Sequence, residues 1–368
     1  MTKMATFVES STKQSYPLDG ARWRAPNGKP LMVSELPGIS RSAINSSNRS
    51  IWRYAEALPL RINDPVSLGE GCTPLISPQI DGYQFDLKLE WFSPTGSFKD
   101  RGASVLISFL KQAGIDEIVE DSSGNAGAAV AAYGAAAGMK VKILVPAYTQ
   151  PAKIGQSRAY GAEVILVPGD REDTATAAIK MADHTFYASH NWHPMFLQGT
   201  KSIGYEIWED LNFTAPDNIV IPVSEGSNLL GCYIAFNELI RAGEIDRMPR
   251  LFVVQPENCA TLHHKLNGTQ QEQFLPTVAE GTAVKSPTRL DAMVEAVENT
   301  KGGSVVISEE EIIRASKRLA HAGILAEPSS AQAWVGAKNL VENGQISSSD
   351  RTVVILTGTG LKAQSVFS

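Results

Sequence analysis

From Asp116 onward, short β-branched runs alternate with helical stretches, and this alternation restricts the fold more than any other feature. "DEIVED", "KVKILVP", "AEVILVPG" and "TFYASH" read as strands. Between them lie the alanine-rich "NAGAAVAAYGAAAG", which stops at Gly138, then "PAKIGQSRAYG", which starts on Pro151, and "REDTATAAIKMADH". Alanine favours helix, proline suits its first turn and glycine its end. Strands this apolar, each followed by a helix, give βαβ units and a parallel sheet.

A second set follows. "QGTKSIGYEIWEDL", "NLLGCYIAFNELIRAG" and "SEEEIIRASKRLAHAG" read as helices, and "DNIVIPV", "RLFVVQ" and "TVVILTGTG" as strands. Ser308 and Glu311 have the spacing of a capping box. The expected fold class is α/β, with two parallel-sheet α/β domains. The smaller one spans 102–198, and the larger is built from 1–101 and 199–368. Residues 1–65 show no clear period and many turn formers, as in "YPLDGARWRAPNGKP", and are expected to form an irregular arm on the larger domain.

The 368 residues, 43% hydrophobic and 20% charged, supply ample core for two domains. A net charge of −6 without a long basic run argues against nucleic acid or an anionic membrane as partner. No run of about 18 apolar residues is present to span a bilayer, and "MTKMATFVESSTKQS" lacks the apolar core of a signal peptide. Cys72, Cys232 and Cys259 lie too far apart for a local metal-binding pair. They read as reduced thiols of a cytoplasmic protein, and no metal site is expected.

In open parallel sheets, ligands bind where strand ends meet helix N-termini. Three such loops stand out. "SSGNAG", Ser122 to Gly127, offers helix-start N–H groups and the side chains of Ser122, Ser123 and Asn125 to an anion such as a carboxylate. "SEGSNLLG", Ser224 to Gly231, suits a phosphate, although Glu225 would repel one. "TGTGLKA" imitates a dinucleotide fingerprint, but only eight residues follow Gly360, too few for the rest of that unit. "GTKS" at Gly199 lacks the earlier glycine of a nucleotide P-loop.

Lys99 sits in "SPTGSFKDRG", just before apolar residues at helical spacing: Val105, Leu106, Phe109 and Leu110. A lysine becomes nucleophilic towards carbonyls when desolvation or neighbouring cations, here Arg101 and Lys88, lower its pKa. A buried lysine, a carboxylate loop and a phosphate loop together point to pyridoxal phosphate held as a Schiff base.

These segments resemble the threonine-synthase-like branch of fold-type II, tryptophan-synthase-β-like, pyridoxal-phosphate enzymes. "LGEGCTPL", "SPTGSFKDRG", "SSGNAG", "IPVSEGSNLLG", "AEPSSA" and "LTGTGLK" occur in the family's order, from Trp52 to Lys362. The resemblance implies the fold, the cofactor, a mobile smaller domain, a homodimer and a small amino-acid substrate. It implies that Lys99 joins the cofactor and serves as catalytic base, that Asn125 bonds the pyridoxal 3′-oxygen, and that Ser122 and Ser123 bind the substrate carboxylate. It places Ser224, Gly226, Ser227 and Asn228 on the cofactor phosphate and Thr357 on the pyridine nitrogen. Elimination or replacement at the β- or γ-carbon follows as the expected chemistry.

The departures bear on the substrate. Ala126 stands where threonine synthases usually carry threonine, Phe196 where they carry arginine, and His190-Asn191 where they carry Asn-Ser. Losing a charged contact to phosphate costs about 1.5–3 kcal/mol, which favours a less charged substrate than O-phosphohomoserine. Ala126, His190, Asn191, Phe196 and Glu225 are therefore the expected substrate-selecting positions, with an amine-bearing substrate as one reading of Glu225. His193, His263 and His264 read as surface histidines. Two alternatives stand beside this reading: a true threonine synthase, and a non-catalytic pyridoxal-phosphate-binding protein, against which the intact Lys99, Asn125 and Thr357 speak.

Overall fold

The computed structural model describes residues 5–19 and 22–367. Its strands are β1 (Phe7–Glu9), β2 (Ser15–Tyr16), β3 (Leu31–Val33), β4 (Leu75–Ile76), β5 (Gln79–Ile80), β6 (Tyr83–Gln84), β7 (Asp86–Leu89), β8 (Glu117–Glu120), β9 (Lys140–Pro146), β10 (Glu163–Val167), β11 (Phe186–Tyr187), β12 (Asn218–Pro222), β13 (Arg250–Pro256), β14 (Gly303–Ile307) and β15 (Thr352–Leu356). The α-helices are α1 (Lys99–Gln112), α2 (Asn125–Ala136), α3 (Pro151–Ala159), α4 (Arg171–Met181), α5 (Pro194–Thr200), α6 (Ser202–Asp210), α7 (Ser227–Arg241), α8 (Thr261–Leu266), α9 (Leu290–Asn299), α10 (Glu309–His321) and α11 (Pro328–Glu342). The chain forms two compact units, one from 1–70 and 99–202, the other from 71–98 and 203–368.

The first unit holds a four-stranded sheet in the order β10-β9-β8-β11, parallel throughout. The expected apolar face of α1 is buried: Val105, Leu106, Phe109 and Leu110 pack with Ala129 and Val130 of α2 and Ile118 and Ile143 of the sheet. The small residues of α2 let it lie close to the sheet, and a Cβ on Gly134 would come within 2.3 Å of Val141.

The arm joins this unit rather than the larger one expected for it. Residues 7–33 carry a small antiparallel sheet, β2-β1-β3. Phe7, Leu31, Ile51, Trp52 and Val66 enter the same core as α1, so apolar burial holds the arm there. The fully buried Glu70 strengthens the attachment. It accepts from Trp52 Nε1 at 3.1 Å, Ser104 Oγ at 2.6 Å, the Leu68 N–H at 2.9 Å and the Tyr133 hydroxyl at 2.7 Å. Lys201, 1% exposed, donates to the Ala57 carbonyl at 2.7 Å.

The second unit is built on a six-stranded sheet in the order β14-β13-β12-β15-β7-β4, parallel except for the edge strand β4. Apolar residues of α10 and α11, among them Ile312, Leu319, Trp334 and Leu340, share a core with Val220, Val254 and Val354. The capping box is present at the start of α10, where Ser308 and Glu311 bond each other's backbone. Beneath β7, Lys88 is fully buried and donates to the Thr73 carbonyl, Glu206 and Asp210, each at 2.7 Å.

The stretch expected as one helix from Gln198 is two. Proline at the first position of α5 moves the start back to Pro194. At the break, Ser202 turns its hydroxyl onto the Gly199 carbonyl at 2.7 Å, a local bond that competes with continuation of the helix.

Candidate active site

In the first unit, Lys99 is the first residue of α1 and half-buried. Its Nζ lies 5.7 Å from the centroid of the Phe196 ring on α5. The two helices meet backbone to backbone. A Cβ on Gly102 would come within 2.4 Å of Phe196, and one on Gly199 within 2.1 Å of the Arg101 carbonyl oxygen. Phe196 is fully buried, so the ring is a fixed wall beside the lysine. Of the two cations considered as neighbours of Lys99, Arg101 is buried and donates to Ser202 Oγ at 3.2 Å, while Lys88 is matched by its own carboxylates, Glu206 and Asp210.

The "SSGNAG" loop leaves β8 and ends in α2, whose first residue is Asn125. Ser122 is buried and its Oγ accepts from the Gly124 N–H at 3.3 Å. Ser123 and Asn125 are half-buried, and Ala126 is buried. Glycine is required at 127, because a Cβ there would stand 2.0 Å from the Ser122 carbonyl oxygen. The N–H groups of the first helical turn point out of the helix end, the geometry expected of an anion loop.

Past the end of β11, His190 is 5% exposed and locked at two points to Glu120. Its backbone N–H donates to Oε2 at 3.0 Å, and Nδ1 lies 2.7 Å from Oε1. The imidazole meets the Phe196 ring edge-on at 5.8 Å. Burial pushes the Glu120 carboxyl up to about 7, against the pull of the His190 N–H and the positive charges of Lys99 and Arg171. Burial also raises Asp121, helped by the Glu120 charge and opposed by the Tyr187 hydroxyl, which donates at 2.7 Å. Asn191 is buried beside this pair, and its N–H donates to Ser189 Oγ at 3.3 Å. His193, expected at the surface, is fully buried. Its Nδ1 accepts the Met195 N–H at 3.2 Å to cap α5, and its ring meets Phe7 at 5.9 Å.

In the second unit, β12 leads through Ser224, Glu225 and Gly226 into α7. Gly226 is the helix cap with φ +79°, and a Cβ there would come within 2.0 Å of Met293 Sδ. Ser227 and Asn228 open the helix and are buried. Glu225 accepts the Thr288 N–H at 2.9 Å. Burial pushes Arg289 down to about 10, and the Glu225 charge acts against that shift. The carboxylate that looked out of place in a phosphate loop is thus met by an N–H and a guanidinium of its own unit. At the end of β15, Thr357 Oγ1 lies 2.8 Å from Ser330 Oγ and 3.4 Å from Glu327 Oε1, at the start of α11.

The model of a family described as pyridoxal-phosphate dependent enzyme matches residues 66–358. The chain belongs to that family. Among curated proteins, it is 31% identical to threonine synthase from Methanocaldococcus jannaschii over 338 residues, covering 88% of this chain and 83% of the relative. It is 34% identical to threonine synthase from Methanosarcina acetivorans, again covering 88% and 83%. Among solved structures, the processed form of threonine deaminase isoform 2 from Solanum lycopersicum superposes with a TM-score of 0.68 at 25% identity, covering 80% of this chain and 86% of that one.

The residues present fit the family's cofactor. Asn228 is 3% exposed, and neither its Oδ1 nor its Nδ2 has a hydrogen-bond partner. A buried amide is left in that condition only at a cost of about 1–3 kcal/mol, so the placement of its Nδ2 donor at the mouth of α7 suits an anion with acceptor oxygens. The expected site residues fall into two groups. Lys99, Ser122, Ser123, Asn125, Ala126, His190, Asn191 and Phe196 belong to the first unit, and Ser224, Glu225, Gly226, Ser227, Asn228 and Thr357 to the second. Sequence reading missed Glu120 and Arg289. Each is a buried charged residue whose charged partner lies far along the chain; the one available signal was the glutamate that ends the strand "EIVE".

Proposed function

We propose that this pyridoxal-phosphate enzyme carries out elimination or replacement at the β- or γ-carbon of a small L-amino acid, with Lys99 as the residue that joins the cofactor and moves the α-proton. The observation that carries the reading is the setting of Lys99: the first residue of a packed helix, against a fixed aromatic wall, in the same unit as an anion loop.

When bound, the cofactor withdraws electrons from the substrate α-carbon and so acidifies its proton. The protein's own part is binding and positioning. Ser122, Ser123 and the α2 N-terminus hold the substrate carboxylate, Asn125 the 3′-oxygen of the cofactor, and Ser224, Gly226, Ser227 and Asn228 its phosphate. Thr357 presents a hydroxyl to the pyridine nitrogen. Lys99 receives the α-proton and holds it for return. Ala126 and Phe196 give the substrate's distal group no charge partner, which favours an uncharged side chain over a phosphorylated one. Glu225 is engaged by the Thr288 N–H and the Arg289 charge and acts as an ion partner within its own unit.

A second reading, threonine formation from O-phosphohomoserine, is favoured by the curated relatives, which bear the name threonine synthase. A homodimer in the cytoplasm is the proposed state, supported by the family resemblance, an acidic balance and sparse cysteines. Among the described residues no helix is long and apolar enough to cross a membrane.

The test is a panel of O-phosphohomoserine, L-serine, L-threonine, diaminopropionate and O-acetyl-L-serine, with visible spectra and product analysis. Borohydride reduction and digestion should place the pyridoxyl group on Lys99. Attachment to another lysine rejects the site, and fast turnover of O-phosphohomoserine establishes the second reading in place of the first.

A further inference from the structure

We propose that His190, held by Glu120, is a second acid–base residue of this site and serves the leaving group and the incoming nucleophile, while Lys99 serves the α-carbon. The inference rests on the role given to Lys99 above.

Three observations within the first unit carry it. The imidazole is fixed by two bonds to one buried carboxylate, through its backbone N–H at 3.0 Å and through Nδ1 at 2.7 Å. A carboxylate on Nδ1 sets the tautomer and makes Nε2 the basic nitrogen. The pair also shares a neighbour with the reactive lysine. The Phe196 ring centroid lies 5.8 Å from that of His190 and 5.7 Å from Lys99 Nζ, and Glu120 lies within electrostatic reach of Lys99. Finally, the pair occupies the strand-end position, with Glu120 the last residue of β8 and His190 just past β11. The charged and titratable groups around it are Asp121 just past β8, Tyr187 on β11, Lys99 on α1 and Arg171 on α4. Asp121 and Tyr187 are bonded to each other.

The chemistry balances for a β-substituted substrate carrying leaving group L and a neutral nucleophile H–X (water, a thiol, an amine or an alcohol). In elimination, the α-proton passes to Lys99, and L departs with the bonding pair and takes the proton held by protonated His190, leaving as H–L. In replacement, H–X gives its proton to His190 and a lone pair of X forms the carbon–X bond. The electron pair of the double bond moves to the α-carbon, where the proton on Lys99 closes the C–H bond. L is exchanged for X, and both bases return to their starting states. Glu120 acts only through His190 and is a positioning residue.

The test compares a poor leaving group with a good one. Pyruvate formation from L-serine needs a proton on the departing hydroxide, whereas chloride leaves β-chloro-L-alanine without one. In His190→Asn the L-serine to β-chloro-L-alanine ratio should fall by about 100-fold or more. In Glu120→Gln the alkaline limb of the L-serine profile should move to lower pH, because the imidazolium loses its carboxylate, and Glu120→Asp should restore it in part. His190→Gln provides the same ratio should the asparagine variant fail to fold. An unchanged ratio, an unmoved limb, or a wild-type protein with Lys99 attached that uses only β-chloro-L-alanine or neither amino acid overturns the inference. Absence of cofactor on Lys99 instead overturns the reading beneath it.

Discussion

The Tyr133 hydroxyl donates to the Glu70 carboxylate at 2.7 Å, tying the middle of α2 to the loop in which Glu70 also accepts from Trp52 and Ser104. One fully buried acid therefore fixes the two helices that carry Lys99 and Asn125. Tyr133→Phe removes one donor from a buried charge, and bonds of that kind are worth about 1.5–3 kcal/mol. Denaturant melts should show a loss in that range, with the midpoint lowered and the slope unchanged. A loss below about 0.5 kcal/mol, the scale of an ordinary surface change, would mean that the remaining donors suffice.

Gly226→Ala joins two penalties, a left-handed backbone at φ +79° and a Cβ 2.0 Å from Met293 Sδ. Strain of this type costs about 1–3 kcal/mol per residue, and here it falls on the proposed phosphate loop. Cofactor affinity, read by titrating the apoprotein, should drop at least tenfold. Met293→Ala in the same chain should restore part of it by removing the obstructing sulfur. No coupling between the two substitutions would show that the side-chain collision is relieved in some other way.

Asn228→Asp changes little in shape but replaces an amide with a negative charge. Two unit charges about 4 Å apart repel by about 4 kcal/mol at an effective dielectric of 20, so a neighbouring phosphate should be held at least 100-fold more weakly. Equilibrium dialysis of pyridoxal phosphate against pyridoxal, which lacks the phosphate, checks the cause: the variant should discriminate strongly against the first and little against the second.

Glu120 gives a pH dependence with a definite sign. Burial raises it from the ordinary glutamate value of 4.5 to about 7 in the folded protein, so the folded state binds the proton more tightly than the unfolded state does. Its contribution to stability is full below about 4.5 and is lost as the pH rises to about 7. At 1.36 kcal/mol per pH unit the swing is about 3 kcal/mol. Melts of the wild type and Glu120→Gln from pH 4 to 8 should diverge by roughly that amount, the wild type losing ground as pH rises. Parallel curves would place the carboxylate in a more polar setting.

The four strands of the first sheet, and β12, β13 and β15 of the second, were legible as short runs rich in β-branched residues with punctuation at their ends, whereas β4, β7 and β14 were not read as strands. The capping box at Ser308 was legible because its two partners are three residues apart. The arm was not, because its strands have two or three residues, too few to show a period. Its attachment depends instead on Trp52 reaching Ser104 and on burial of Phe7 and Leu31. Within the proposed site, Lys99, Asn125 and Gly226 stand out through loop composition. Glu120 and Arg289 did not, since the burial of a charge is decided by the residues that surround it in space: His190 stands 70 positions after Glu120.

Each unit also encloses one lysine that solvent scarcely touches: Lys201, 1% exposed, and Lys88, 0% exposed. An amine-acylating reagent reaches either only when the surrounding structure opens. Labelling of Lys201 therefore times the opening of one unit and labelling of Lys88 that of the other. The protein carries two internal clocks, and their agreement or disagreement distinguishes one cooperative unfolding event from two.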